Sequence, residues 1–119
     1  MPTTLTDQLN QIIHQGSPYL DFNIDDYTLD LRGWGFRSPV FEILIIENRP
    51  KIIIEIGTWN GSSAIAMANY AKEHRLETTI ICIDTWLGSP EHRIDADYRE
   101  SLHLEHGFPK IYYQFLANV

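Results

Sequence analysis

A chain of 119 residues with a 44% hydrophobic content is long enough for one domain with a real core, and too apolar for a disordered chain. Sixteen acidic residues against nine basic ones leave a formal net charge of −7, which opposes broad contact with nucleic-acid phosphates or anionic lipid. Cys82 is the single cysteine, so no intrachain disulfide forms, and its place inside an apolar run marks it as a small core residue.

No apolar run reaches the roughly 20 residues that span a bilayer, and Met1-Pro2-Thr3-Thr4 opens no signal-peptide pattern. A cytoplasmic protein is the reading that fits. In chain order, Leu5, Leu9, Ile12 and Ile13 recur at helical spacing, with Thr4 or Thr6 as cap and Gly16-Ser17-Pro18 as stop. Residues 19–38 mix acidic and aromatic side chains and read as irregular chain. Within them Trp34 and Phe36 are expected to pack against the sheet edge. Ser38-Pro39 has the form of an N-cap followed by proline at the first helical position, and predicts a helix to about Asn48.

Residues 51–56 form an isoleucine run too short for a helix, and suit a strand buried on both faces of a parallel sheet. Ser62 or Ser63 can cap a helix that continues to His74, and residues 79–83 are a second β-branched strand. A parallel strand-helix-strand unit follows, of the kind that collects ligands beyond the carboxyl ends of its strands. Residues 111–116 read as the start of another helix. Two strands fall short of the usual five or six of such a sheet, so a truncated chain that self-associates is expected.

The first strand runs into Glu55-Ile56-Gly57-Thr58-Trp59-Asn60-Gly61-Ser62-Ser63. Its two glycines serve either a tight turn or close approach of a ligand to backbone. Dinucleotide sites want a third glycine where Trp59 stands, because the diphosphate lies against bare backbone. A nicotinamide oxidoreductase is therefore disfavoured. A carboxylate at Glu55 beside a Trp-bearing loop suits a cofactor without phosphate and with positive charge, such as S-adenosylmethionine. Asp84, just past the second strand, is positioned to accept ribose hydroxyls, and is expected to be solvated when no ligand is bound. His92, His103 and His106 lack further ligands for a metal and read as surface histidines, with His92 nearest the corner.

The pair "IIIEIGTWNGSSAIAMA" and "IICIDTWLGSPEHR" resembles the N-terminal half of class I S-adenosylmethionine-dependent methyltransferases. It is similar to the small-molecule O-methyltransferase branch with E-x-G-x-x-x-G-x-S and D-T-W-x-G motifs. The resemblance runs from about Leu31 onward and implies a Rossmann-like parallel sheet, cut after the second core strand and the following helix start. It implies a single partial domain over residues 1–119, helical and irregular to residue 50 and cofactor-binding from residue 51. By the same resemblance Glu55 and Gly57 line the methionine end of the cofactor. Thr58, Trp59, Gly61 and Ser62 form the turn beside it, Asp84 holds the ribose, and Thr85 and Trp86 flank the adenine. The implied activity is methyl transfer from S-adenosylmethionine to a small-molecule acceptor, at oxygen, with no metal-binding residue and no base assigned within these residues; the acidic balance and the lack of a spanning run speak against nucleic acid and membrane. The alternative is a noncatalytic methyltransferase-like module that binds a partner or a nucleotide metabolite.

Overall fold

The computed structural model describes residues 3–34 and 37–119, so the expectation for Phe36 lies outside the described residues. Helix α1 spans Leu5–His14 and starts in a capping box. Thr4 Oγ1 accepts the Asp7 N–H, and the Asp7 carboxylate accepts the Thr4 N–H. Helix α2, Pro39–Asn48, has proline in its first turn, and Ser38 Oγ accepts the Val40 N–H at its start. Strand β1 is Ile52–Ile56, helix α3 is Ser62–Glu73 and strand β2 is Thr79–Ile83. Two short helices, α4 at Pro90–Ile94 and α5 at Ala96–Arg99, precede α6 at Ile111–Asn118.

The fold is thus mixed α/β, with six α-helices among the described residues and one small sheet. Strands β1 and β2 pair in parallel with Ile54 beside Ile81 and Ile56 beside Ile83, so both strands end at one edge. Helices α2 and α3 pack on one face of the sheet. There Ile45, Met67 and Ala71 are buried, with Phe41, Ile53, Tyr70, Leu76 and Ile80 packed around them. Leu102 and, on α6, Ile111, Phe115 and Leu116 are buried as well. Complete burial of a side chain such as Leu102 contributes about 1.5–3 kcal/mol.

Burial of β1 on both faces is not what forms. Ile52, Ile54, Ile56 and Ile83 are exposed, Ile54 at 61% and Ile56 at 82%. The reason is that α2 and α3 share the face carrying Ile53 and Ile80, and an isoleucine run reads the same whether one face or two are covered. Cys82, beside Glu55 on the face that carries Ile53 and Ile80, is half-buried and stands outside the core cluster. Trp34 does not pack on the sheet either. It is largely exposed, with its ring 6.1 Å from that of Tyr98. Among the described residues no helix is long and apolar enough to cross a membrane.

Candidate functional site

The corner is built from two strand ends held in register. Gly57 N–H donates to the Ile83 carbonyl at 2.8 Å, extending the ladder one step past β1 and bringing the turn after it beside the loop after β2. Gly57 then takes φ +82°, and Gly61, at φ +87°, closes the turn with its N–H on the Thr58 carbonyl. Trp59 and Trp86 also sit in the left-handed region, at φ 48° and 50°. That conformation costs a non-glycine residue about 1–2 kcal/mol.

Asp84 is the group that holds both tryptophans there. Its Oδ2 accepts the Trp59 N–H and its Oδ1 accepts the Trp86 N–H, each at 2.8 Å. Trp86 Nε1–H in turn donates to the Trp59 carbonyl at 3.0 Å, and the indole packs 5.0 Å from the rings of Tyr112 and Phe115. The carboxylate expected to be solvated is therefore a structural bridge between the two loops. Two of its roughly four lone-pair sites remain for other donors.

Glu55 is engaged on the helix side of the sheet. It accepts the Thr58 hydroxyl at 2.6 Å and the Ser63 hydroxyl. Neither serine caps α3: Gly61 holds the cap position without a side-chain bond, and Ser62 Oγ donates to the Leu31 carbonyl at 2.5 Å. The N-terminal irregular segment is tied to the corner a second time by Asn118, whose amide donates to the carbonyls of Asp30 and Asn60. Burial pushes the Cys82 thiol above its ordinary value of 9.0, with the Thr58 hydroxyl acting the other way.

The nine residues singled out do not all line one cavity. Asp84, Thr85 and Trp86 border a groove of about 1160 Å³ that runs along β2. Glu55, Thr58, Trp59, Gly61 and Ser62 stand outside its lining, in the body of the turn. Gly57 is exposed, and a Cβ added there would meet no atom within 4 Å, whereas one on Gly61 would come to 2.8 Å from Val119 Cγ1 and 3.1 Å from Phe115 Cδ2. Open backbone thus exists at the first glycine and not at the second.

Side chains that sequence spacing does not reveal complete the corner. Asn60 is 0% exposed, and neither polar atom of its side chain has a partner. The Ser89 N–H donates to His92 Nδ1, which makes that nitrogen the acceptor and puts the neutral ring's hydrogen on Nε2. Nε2 is buried without a partner, as is Trp59 Nε1, and the two rings meet edge to face at 5.0 Å. The serine three residues before His92 is a capping pattern that could have signalled this orientation. His103 and His106 are exposed, and among the described residues no cluster of three His, Cys, Asp or Glu side chains could hold a metal ion. Comparison with protein-family models, with curated proteins and with solved structures finds no match to this chain.

Proposed function

We propose that the strand-end corner binds S-adenosylmethionine and belongs to a methyltransferase domain of the class I, Rossmann-like kind, acting on a small-molecule acceptor at oxygen. The observation that carries this reading is the joining of the two motifs by Asp84. The turn after β1 and the loop after β2, far apart in sequence, meet through one carboxylate that retains acceptor capacity. Exposed Gly57 beside it leaves bare backbone for a ligand to approach, and Trp59 occupies the place where a diphosphate would need glycine. Bound there, the cofactor would supply an electrophilic methyl group. The residues at hand would orient it, through Asp84 on its hydroxyls and the backbone at Gly57.

Calorimetric titration tests the reading. S-adenosylhomocysteine should bind and NAD should not, and Asp84→Ala should weaken binding by about tenfold or more, through loss of charge-assisted bonds and of the bridge that shapes the corner. Gly57→Ala is the second variant, since its methyl narrows the open approach at the left-handed cost of about 1 kcal/mol and leaves the Asp84 side chain in place. Absence of binding to the folded wild-type chain would overturn the proposal. The noncatalytic reading draws on a different observation: Glu55 and Asp84 already have partners within the chain, and Trp86 is packed on Phe115 rather than free to stack. A corner of that kind would fold normally and bind neither compound.

A further inference from the structure

Where the turn after β1 meets α4, hydrogen-bonding capacity is left over. His92 meets Trp59 edge to face, at 5.0 Å between ring centroids, and lies 5.9 Å from the ring of Tyr98 on α5. Its Nδ1 accepts the Ser89 N–H at 3.2 Å, so the hydrogen of the neutral ring stands on Nε2. That N–H and the indole N–H of Trp59 are both buried, and among the described residues neither finds an acceptor. Asn60, next in the turn and fully buried, adds an amide whose donor and acceptor are both unused. Buried polar groups are seldom left so, because each has given up its bonds to water for nothing in return.

The kinds of group left over select the ligand. Three donor groups, Trp59 Nε1, His92 Nε2 and Asn60 Nδ2, stand against one acceptor, Asn60 Oδ1. A bound water brings as many hydrogens as lone pairs and would leave that excess of donors unmet. A carboxylate only accepts, at several sites, and its bonds to N–H groups are charge-assisted. The ammonium of an amino acid would in turn supply the hydrogen that Asn60 Oδ1 lacks. The cover over these groups is slight, since α4 is five residues long and packs mainly on α5 and on residues 100–102. We propose that Trp59 and His92 seat a ligand carboxylate, which enters as α4 moves outward. Resting on the cofactor reading above, that carboxylate is the one at the amino-acid end of S-adenosylmethionine, with Asp84 left to the ribose. His92 is then a residue by which the corner tells the whole cofactor from its adenosine part.

Calorimetric titration with two probes tests it: S-adenosylhomocysteine, and methylthioadenosine, which keeps the adenosine and the thioether and lacks the amino-acid end. The wild-type chain should bind the first at least about tenfold more tightly than the second. Trp59→Phe and His92→Phe each keep an aromatic ring and delete one N–H donor. Each should weaken S-adenosylhomocysteine by about fivefold or more and leave methylthioadenosine within about twofold of wild type. Melting temperatures are read alongside, and Trp59→Phe, which spares the bond between Ser89 and His92, decides the matter if His92→Phe fails to fold. A preference for S-adenosylhomocysteine that survives Trp59→Phe unchanged would overturn the proposal and leave a buried water as the occupant. Equal weakening of both probes would overturn it too, by making the side chains structural. Wild-type binding of S-adenosylhomocysteine without preference over methylthioadenosine would sink this inference alone, whereas binding of neither probe would sink it together with the cofactor reading.

Discussion

The Asp84 carboxylate accepts the backbone N–H of Trp59 at 2.8 Å, joining the loop after β2 to the turn after β1 across 25 positions of sequence. With its second oxygen on the Trp86 N–H, it balances two left-handed tryptophans that the backbone alone disfavours. Asp84→Ala is therefore expected to cost about 2 kcal/mol, from two part-buried amides left without an acceptor. Asp84→Asn keeps one carbonyl acceptor and should recover about half of that. Urea melts of both variants measure it, and an unchanged midpoint for Asp84→Ala would show the bridge to carry no weight.

The two glycines of the corner should separate stability from binding. Gly61→Ala places a methyl against Phe115 and Val119 at φ +87°, and should destabilise the fold by about 1–3 kcal/mol. Gly57→Ala meets no atom and carries only the left-handed penalty, about 1 kcal/mol. Thermal melts of the pair should rank Gly61→Ala as the more damaging. A reversed order would mean that the contacts with α6 give way freely.

Ile56 is 82% exposed on the open sheet face, so Ile56→Lys removes apolar surface from solvent contact without opening the core. Its stability should stay within about 0.5 kcal/mol of wild type. Binding of a hydrophobic dye and light scattering at high concentration should both fall, because a charge on an open strand blunts pairing between chains. Scattering equal to wild type would place the sticky surface elsewhere.

Cys82 lines the β2 groove, and burial raises its thiol above 9.0. The sign follows from linkage: the unfolded chain ionises first, so Cys82 contributes stability below about pH 9 that is lost as pH rises through its folded value. Alkylation by iodoacetamide should accordingly be slow at pH 8 and still accelerating above pH 9, where an unperturbed thiol levels off. Rapid alkylation at pH 8 would contradict a thiol held above its ordinary range by partial burial.

Much of the local structure was legible in the residues. Thr4, one of two candidate caps, marked the start of α1, Ser38-Pro39 the start of α2, and two β-branched runs around a helical one produced β1, α3 and β2 within a residue or two of their limits. These features depend on hydrogen bonds and side-chain shapes a few positions apart, which sequence spacing records directly. The serines after Gly61 misled for the same reason: their hydroxyls found partners in Leu31 and Glu55, which no local pattern encodes.

Sequence by itself determined that β1 and β2 are strands, that Gly57 and Asp84 stand at their ends, and that Gly61 lies in the turn before α3. Tertiary structure decided how those residues are used. Asp84 became the bridge between Trp59 and Trp86, Gly61 was closed by Phe115 and Val119 while Gly57 stayed open, and α2 and α3 chose one face of the sheet, leaving Ile54 and Ile56 uncovered. Strand identity follows from covalent shape and nearest neighbours. Which face is buried, and which acceptor an amide finds, depends on groups dozens of positions away, whose approach is settled by competition among packings of similar hydrophobic content.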